Sequence, residues 1–260
     1  MIRVNDVEVT QGHFPDNTIH ILPPFPYLSK GVGINITWRY ESDAELFTLI
    51  CLRRHYGDRK VSLYLPYIPN ARMDRVKRQD DVFTLKYFCE VINSLNFESV
   101  TVLDAHSNVA LALLDRVVQE DVSFHIDNAI ALWTPDTLFF PDEGAMKRYS
   151  DMFPGSPYSF GMKRRDWETG KILSLDIMNP EFVKDRKVMI VDDICSRGGT
   201  FFHSAKALKE AGAKEIALYV SHCENTILEG EIFNCGLIDK VFTIPSLVHK
   251  PELVEKLNYV

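Results

Sequence analysis

Short apolar segments that favour β-structure alternate along this chain with segments of helical periodicity. The apolar segments, each bounded by turn residues, indicate buried strands at residues 34–38, 61–65, 100–103, 187–191 and 216–220. Helical patterns lie between them, at residues 44–55, 84–95, 109–117 and 200–211. Because this alternation is typical of parallel sheets covered by helices, it predicts an α/β fold whose ligands bind at the carboxyl ends of the strands.

The length of the chain and its pattern favour two domains of similar organisation. The 260 residues are enough for two small domains, and we predict them at residues 1–127 and 128–260. Each is expected to be a mostly parallel sheet flanked by helices. A last strand is expected at residues 240–244 and a last helix at 247–257, and this helix is a candidate to pack against the first domain.

The composition limits the partners and the compartment. The formal net charge of -7 provides no overall positive field for nucleic acid or for an anionic membrane surface. No apolar run approaches the ~20 residues that a membrane-spanning helix needs. The five cysteines are scattered without a Cys-x-x-Cys pair, which favours a reducing compartment. We therefore expect a cytoplasmic protein that binds neither nucleic acid nor membranes.

The segment with the strongest functional signal spans residues 187–200 and reads Lys-Val-Met-Ile-Val-Asp-Asp-Ile-Cys-Ser-Arg-Gly-Gly-Thr. At the end of the predicted strand, Asp192 and Asp193 can accept hydrogen bonds from two ribose hydroxyls or hold Mg²⁺. The following turn opens a helix, whose first N–H groups suit a phosphate, and Gly198 and Gly199 have no Cβ to block its approach. The alternative interpretation is an ordinary strand-turn-helix whose acids cap a helix or face solvent.

This segment resembles the phosphoribosyl-pyrophosphate loop of the phosphoribosyltransferase superfamily. The resemblance implies that Asp192 and Asp193 contact ribose hydroxyls. It implies that the turn holds the 5-phosphate, through Ser196, Arg197, Gly198, Gly199 and Thr200. Ser-Arg stands where the family generally has Asp or Ser followed by Thr. The long, forked cation of Arg197 can reach the 5-phosphate or a larger diphosphate substituent at C5, as in ADP-ribose.

Residues 65–75, Leu-Pro-Tyr-Ile-Pro-Asn-Ala-Arg-Met-Asp-Arg, resemble the ATP-side motif of the ribose-phosphate pyrophosphokinases, which plain phosphoribosyltransferases do not have. The resemblance implies that Arg72, Asp74 and Arg75 belong to the ATP site. Arginine suits this role because its guanidinium offers forked donors to phosphate oxygens. The alternative interpretation is a surface loop whose Arg and Asp side chains pair with one another.

Two further segments resemble the ATP side of the same family. Residues 13–20, His-Phe-Pro-Asp-Asn-Thr-Ile-His, are similar to its Phe-x-Asp-Gly-Glu segment, which implies an adenine contact for Phe14 and a role in ATP binding for Asp16. Asn17 and Thr18 replace Gly-Glu. Residues 102–107, Val-Leu-Asp-Ala-His-Ser, resemble Leu-Asp-Leu-His-Ala, whose histidine lies at the Mg-ATP phosphates, and this implies that role for His106.

The remaining matches lie before the 187–200 segment. Residues 140–148 resemble Ser-Pro-Asp-x-Gly-Gly-x-x-Arg, which places Asp142 near the ribose and its metal. Residues 162–165, Met-Lys-Arg-Arg, resemble the catalytic flexible arm of the family, in which Lys163 and Arg165 would meet the transferring phosphates. By composition alone, such a run is usually a solvated loop.

The resemblance covers most of the chain and implies two phosphoribosyltransferase-like domains that act as a ribose-phosphate pyrophosphokinase. This enzyme would transfer the β,γ-pyrophosphate of Mg-ATP to the C1 hydroxyl of ribose 5-phosphate, giving phosphoribosyl pyrophosphate and AMP. Mg²⁺ is the implied cofactor, with His106 and Asp142 as implied ligands. The family's adenine segment is typically supplied by a neighbouring subunit, so we expect a homo-oligomer, a dimer or larger. The chain reaches Phe14 almost at once, which implies a first domain that is shortened at its start.

Three alternatives remain at this point. The same chemistry could act on a 5-substituted ribose such as ADP-ribose. A phosphoribosyltransferase proper would share the 187–200 segment, although the Arg72 segment argues against it. A regulatory homologue could keep the fold without turnover, although Lys163, Arg165 and His106 argue for activity.

Overall fold

The computed structural model describes residues 1–25, 33–165 and 172–260, with the backbone alone for residues 163–165 and 172–174. The chain divides into two compact units. The first comprises Met1–Asp121 with Ser246–Val248, and the second comprises Val122–Pro245 with His249–Val260. The boundary predicted after residue 127 falls inside a helix, Ser123–Trp133, that belongs to the second unit.

The first unit is built around a mostly parallel sheet. Its strands, in chain order, are β1 (Ile2–Val4), β2 (Val7–Glu8), β3 (Thr10–His13), β4 (Ile19–Leu22), β5 (Ile34–Trp38), β6 (Val61–Leu65), β7 (Val100–Leu103) and β8 (Val117–Glu120). The main sheet has the order β2-β1-β5-β6-β7-β8, and it is parallel from β5 to β8. Strands β3 and β4 form a separate antiparallel hairpin.

Helices α1 (Ala44–His55), α2 (Thr84–Ser94) and α3 (Asn108–Leu113) complete the first unit. The strands follow the alternation that burial requires, since Ile34, Ile36 and Trp38 of β5 are buried while Asn35 between them is exposed. The strands predicted at residues 34–38, 61–65 and 100–103 are confirmed, as is the helix at 44–55.

The second unit contains a longer parallel sheet. Its strands are β9 (Thr137–Phe140), β10 (Tyr158–Arg165), β11 (Ile172–Met178), β12 (Lys187–Cys195), β13 (Glu215–Cys223), β14 (Lys240–Thr243) and β15 (Asn258–Tyr259). Their order is β11-β10-β9-β12-β13-β14-β15, with β10 and β11 antiparallel and the other neighbours parallel. Its helices are α4 (Ser123–Trp133), α5 (Glu143–Tyr149), α6 (Gly199–Glu210) and α7 (Pro251–Val254). The predicted α/β class, with two mostly parallel sheets flanked by helices, is confirmed.

Strands β12 and β13 form the centre of this core. Val188, Ile190 and Val220 are completely buried, as expected for parallel strands covered on both faces. The structure extends the strand predicted at 187–191 to Cys195, so that it includes the acidic pair. The last helix packs in the second unit, because Leu253 of α7 belongs to the apolar core of that unit, as does Leu257 after the helix.

Two predicted helices are wrong in extent. The pattern at residues 109–117 contains α3 only as far as Leu113, and Val117 begins β8. Leu114 has an extended backbone, with φ -87° and ψ 129°, and it ends the helix. Arg116, with a left-handed φ of 53°, lies just before β8, and its Nε donates to the carbonyl of Phe97. The pattern at residues 247–257 yields only the short helix α7, which begins at Pro251.

Candidate functional site

The two adjacent acids lie where β12 approaches its carboxyl end. Asp192 is paired in register with Val220 of β13, and Asp193 is almost completely buried. The backbone N–H of Asp193 donates to Oδ1 of Asp192 at 2.9 Å, and the N–H of Ile194 donates to Oδ1 of Asp193 at 2.7 Å. Both carboxylates are thus anchored to the strand backbone at the edge where parallel sheets bind ligands.

Arg148, near the end of α5, neutralises one of the two acids. Its Nη1 donates to Oδ2 of Asp193 at 2.8 Å, and its guanidinium lies 5.8 Å from the ring centroid of the buried Tyr149. This charge-assisted bond joins residues that are 45 positions apart in the sequence. The sequence prediction gave Arg148 no role, because nothing in its own segment identifies its partner.

Asp192 has different surroundings. Burial raises the pKa of its carboxyl well above the usual value, and the neighbouring charges of Asp193 and Asp142 raise it further. Asp142 follows β9 and caps α5, since its Oδ1 accepts from the N–H of Ala145 at 3.1 Å. The structure therefore brings the predicted acids Asp142, Asp192 and Asp193 into one cluster.

The turn after β12 leads directly into α6. Gly198 has a φ of 75°, and the first intrahelical bond runs from the N–H of Phe202 to the carbonyl of Gly198 at 2.9 Å. The N–H groups of Gly199 and Thr200 precede that bond, so they point out of the start of the helix, where a phosphate is favoured. The structure therefore contains the predicted turn, followed by the start of a helix at Gly199.

The two glycines of the turn have different roles. A Cβ at Gly198 would lie 2.3 Å from Cγ1 of Ile232, so this glycine is required by packing within the protein as well as by its φ. A Cβ at Gly199 would have no atom within 4 Å in the described residues, apart from its chain neighbours and the backbone of its own helix. The sequence argument that a missing Cβ leaves room for a phosphate thus applies to Gly199 and does not account for Gly198.

A second segment, residues 224–232, lies along this turn, and we call it the brace segment. The N–H of Glu224 donates to the carbonyl of Cys195 at 2.8 Å, and a Cβ at Gly230 would lie 1.8 Å from the carbonyl oxygen of Arg197. Together with Ile232 at Gly198, these contacts follow the turn residue by residue. The brace segment therefore fixes the backbone of the turn, and the sequence analysis missed it.

The side chains of the turn also engage the brace segment. Oγ of Ser196 lies 3.1 Å from Oγ1 of Thr226, which in turn donates to Oε2 of Glu224 at 3.1 Å. In this chain of bonds, the Ser196 hydroxyl donates to Thr226. The predicted use of Ser196 as a phosphate donor would require that hydroxyl to change partners.

Arg197 forms an ion pair with the brace segment. Its Nε and Nη2 both donate to Oε2 of Glu229, at 3.0 and 2.9 Å. The pair is open to solvent, with side-chain exposures of 72% for Arg197 and 55% for Glu229. The cation that the sequence assigned to the sugar phosphate therefore has an acidic partner within the chain.

The proposed phosphate-transfer residues lie on β10. The backbone of Lys163 is paired with Leu175 of β11, and that of Arg165 is paired with Ile172, after an irregularity in register beyond Arg164. The side chains of Lys163 and Arg165 lie outside the described part of the chain, so their assignment stays a prediction.

In the first unit, the structure brings three of the predicted ATP-site residues together. Asp74 is buried and accepts from Nε and Nη2 of Arg75, at 2.8 and 3.1 Å. This bond lowers the pKa of Asp74, burial opposes the shift, and the charge of His106 assists it. Arg75 thus has the intramolecular pairing that the alternative interpretation of this loop expected, although its side chain is largely exposed.

Strain marks the end of β7, beside His106. Asp104 is almost completely buried and has a φ of 40°, a left-handed conformation that is uncommon for a residue with a side chain. Such backbone conformations are concentrated at functional sites. Asp104 lies within the quoted 102–107 segment, but the sequence analysis gave it no role.

Phe14 and Asp16 occupy the turn of the β3–β4 hairpin. The N–H of Phe14 donates to the carbonyl of Thr18, and Asp16 accepts from both the N–H and the hydroxyl of Thr18. These hydrogen bonds hold the pKa of Asp16 below its usual value. The ring of Phe14 is 52% exposed and lies 5.3 Å from that of His20. The hairpin therefore presents an aromatic face to solvent.

Among the residues that the structure describes, no group of three or more His, Cys, Asp or Glu side chains is arranged to hold a metal ion. A cation at Asp142 would therefore need oxygen ligands from a bound phosphate or water. Within the same residues, every helix is too short or too polar to cross a bilayer.

Comparisons with known proteins agree with these features. Residues 161–244 match the phosphoribosyl transferase domain family. The chain is 26% identical to a ribose-phosphate pyrophosphokinase of Saccharolobus solfataricus, over 83% of this chain and 76% of that protein. It is also 26% identical to one of Thermoplasma volcanium, over 100% of this chain and 92% of that protein.

A solved structure shares the fold over nearly the whole length. The crystal structure of phosphoribosylpyrophosphate synthetase from Mycobacterium smegmatis superposes with a TM-score of 0.76 at 18% identity, covering 98% of this chain and 87% of that one. In sequence the chain is thus similar to ribose-phosphate pyrophosphokinases, its residues 161–244 match the phosphoribosyl transferase domain, and it shares the fold of a phosphoribosylpyrophosphate synthetase.

Proposed function

We propose that this protein transfers the β,γ-pyrophosphate of ATP to the C1 hydroxyl of ribose 5-phosphate, forming phosphoribosyl pyrophosphate and AMP. The observation that carries the proposal is the arrangement at the end of β12, where a cluster of acids adjoins a turn that opens α6. The acids suit the ribose hydroxyls, and the N–H groups at the start of α6 suit the 5-phosphate.

The second unit would bind and orient the sugar. Asp192 accepts hydrogen bonds from ribose hydroxyls, while Asp193 is held by Arg148 and keeps the strand end in place. The backbone N–H groups of Gly199 and Thr200 bind the 5-phosphate. Orientation matters here, because alignment of the C1 hydroxyl with the β-phosphorus converts an encounter into a reactive geometry.

The first unit would bind ATP. Arg72 and Arg75 provide forked donors for the triphosphate, and Asp74 holds Arg75 in place. The exposed ring of Phe14 stacks on adenine, and Asp16 stabilises the hairpin turn that presents it. In the family resemblance this segment acts on a neighbouring subunit, so the proposal includes a homo-oligomer.

Charge stabilisation would come from residues of β10 and from a cation. Lys163 and Arg165 stabilise the negative charge that develops on the transferring phosphates. Mg²⁺ is the proposed cation because carboxylate and phosphate oxygens are the ligands that it prefers. Asp142 and His106 are the proposed ligands, and the ion when bound would neutralise phosphate charge.

A 5-substituted ribose, such as ADP-ribose, is the second candidate acceptor. The observation that favours it is the position of Arg197, whose side chain lies on the exposed side of the turn and pairs with Glu229. A cation there is placed to contact an anionic group beyond the phosphate that the helix start binds.

One assay separates these candidates. The protein is incubated with Mg²⁺, ATP and either ribose 5-phosphate or ADP-ribose, and AMP and the pyrophosphorylated sugar are quantified. AMP formation that depends on ribose 5-phosphate supports the first proposal, and a preference for ADP-ribose supports the second. If neither acceptor gives AMP, a second assay supplies phosphoribosyl pyrophosphate and a nucleobase. Pyrophosphate release in that assay would identify a phosphoribosyltransferase, and inactivity in both assays would identify a regulatory homologue.

A further inference from the structure

We infer that Glu229 sets the affinity of the sugar-phosphate site by competing with the ligand for Arg197. This inference rests on the proposed function, because it takes the turn before α6 as the place where the sugar phosphate binds. It assigns Glu229 as a positioning residue that acts through Arg197, and it concerns substrate binding rather than the chemical step.

The first support is the geometry of the pair. Both Nε and Nη2 of Arg197 donate to a single oxygen of Glu229, Oε2, at 3.0 and 2.9 Å. Nε and Nη2 form the edge of a guanidinium that binds phosphate oxygens in a forked manner. While the ion pair is intact, that edge is committed to the carboxylate. A phosphate that uses the same edge must displace Glu229.

The second support is the exposure of the pair. Arg197 and Glu229 are 72% and 55% exposed, so water screens their attraction and the pair is weak. A weak pair can be exchanged for a ligand without a large cost. By contrast, the Arg148–Asp193 pair, with exposures of 29% and 8%, is built as a permanent contact.

The third support is the fixed backbone beneath Arg197. A Cβ at Gly230 would lie 1.8 Å from the carbonyl oxygen of Arg197, and Ile232 lies against Gly198. Because the brace segment holds the turn on this side, we expect the exchange to involve the Arg197 side chain while the main chain stays in place. The N–H groups at the start of α6 then offer the same geometry whether Arg197 is paired with Glu229 or with the ligand.

The inference predicts that the affinity for ribose 5-phosphate increases when the negative charge of Glu229 is removed. Glu229→Gln keeps the size of the side chain but abolishes the ion pair. We expect ribose 5-phosphate to bind this variant about two- to fivefold more tightly, the range that the loss of an exposed ion pair produces. The gain should shrink as salt is added, because salt already weakens the exposed pair in the unaltered protein.

The test measures the binding of ribose 5-phosphate to the full chain by titration calorimetry, in the absence of ATP. Four variants are compared with the unaltered protein: Glu229→Gln, Arg197→Gln, the double variant, and Glu210→Gln as a matched control. Glu210→Gln makes the same change in net charge as Glu229→Gln. Because Glu210 ends α6, it lies at the opposite end of that helix from the turn.

The expected pattern is specific. Glu229→Gln binds more tightly, Arg197→Gln binds more weakly, the double variant binds like Arg197→Gln, and Glu210→Gln binds like the unaltered protein. The inference is overturned if Glu229→Gln binds equally or more weakly. It is also overturned if the gain persists without Arg197 or appears equally in Glu210→Gln, since the effect would then be general charge repulsion.

Failure of this inference can be told apart from failure of the proposed function. AMP formation with ribose 5-phosphate but no gain in Glu229→Gln removes the inference alone. The gain in binding without AMP formation removes the proposed reaction and leaves Glu229 as a competitor in a sugar-phosphate site. If ribose 5-phosphate binds to no variant, neither the site nor the competition stands.

Discussion

Arg148 donates a hydrogen bond to Asp193 at 2.8 Å, and this pairing gives the two adjacent acids of β12 different electrostatic surroundings. Asp193 has a guanidinium partner. For Asp192, burial and the nearby carboxylates of Asp193 and Asp142 dominate and raise its pKa. Identical side chains in neighbouring positions should therefore respond in opposite directions when their charge is removed.

Loss of the guanidinium should destabilise the second unit. Arg148→Met leaves the buried carboxylate of Asp193 without its cation, and we expect the free energy of unfolding to fall by about 2–3 kcal/mol in chemical denaturation. Lys147→Met on the same helix is the control, because its exposed pair with Glu143 should contribute less than about 1 kcal/mol. Equal losses in the two variants would contradict the distinction.

The pH dependence of the free energy of unfolding should show that Asp192 has a raised pKa in the folded protein. Its folded-state pKa lies above the unfolded value, so stability is lost as pH rises from the unfolded pKa through the folded one. Asp192→Asn should therefore raise the free energy of unfolding at neutral pH, and the gain should vanish below about pH 4, where the unfolded carboxyl is also protonated. Asp193→Asn, which breaks the ion pair, should be destabilising at neutral pH. Urea denaturation at several pH values measures both, and a destabilised Asp192→Asn at pH 7 would refute the assignment.

Two glycine substitutions should separate packing from phosphate access. At Gly230, Ala would place its Cβ against the carbonyl of Arg197, and we expect a loss of about 1–3 kcal/mol in stability. At Gly199, the Cβ of Ala would meet no described atom within 4 Å outside its chain neighbours and its own helix backbone, so the thermal denaturation temperature should change little. Its Cβ should nevertheless weaken ribose 5-phosphate binding, because it adds bulk where the phosphate approaches the N–H groups. Unchanged binding in Gly199→Ala would move the phosphate elsewhere.

The residues assigned to charge stabilisation should affect turnover rather than folding. Lys163→Ala and Arg165→Ala should each lower kcat by ~10²–10³-fold, the usual effect of removing one group that stabilises transition-state charge. Arg164→Ala, the residue between them, is the matched control. AMP release measures kcat, and normal turnover in both variants would remove Lys163 and Arg165 from the mechanism.

The hairpin turn should contribute to ATP binding. Phe14→Ala removes the proposed stacking surface, worth about 1–3 kcal/mol per base, so KM for ATP should rise by about tenfold. Phe14→Tyr should retain it. Phe47→Ala is the control, since Phe47 is similarly exposed, at 58%, on α1 of the same unit. A KM for ATP that rises equally in Phe14→Ala and Phe47→Ala would argue against a specific adenine contact.

The sequence predicted the central strands well because the apolar residues that mark them as buried are adjacent in the sequence. Val188 and Ile190 belong to a continuous apolar run, which leaves little alternative to a strand covered on both faces. It predicted neither the β3–β4 hairpin nor β8, because apolar and polar residues there follow no clear period. At residues 109–117, the apolar spacing suited a helix, but the backbone becomes extended at Leu114 and left-handed at Arg116, and the apolar pattern records neither change.

The local parts of the site were equally accessible from sequence. The acids and the turn before α6 are contiguous, so their order alone predicted their proximity. Glu229 and Arg148 could not be found this way, since they meet partners 32 and 45 residues distant, and a single sequence does not record which distant charges pair. The sequence did predict glycine-specific geometry at Gly198, but it did not give the full reason. A side chain at this position would also collide with Ile232, which lies far along the chain.

The contacts of residues 224–232 have a consequence for protein engineering. A graft of residues 192–200 onto another parallel sheet would transfer the acids and the glycines but not the surface against which Gly198 and Arg197 are shaped. The smallest transplantable unit is therefore a pair of strand ends, those of β12 and β13, each with the residues that follow it.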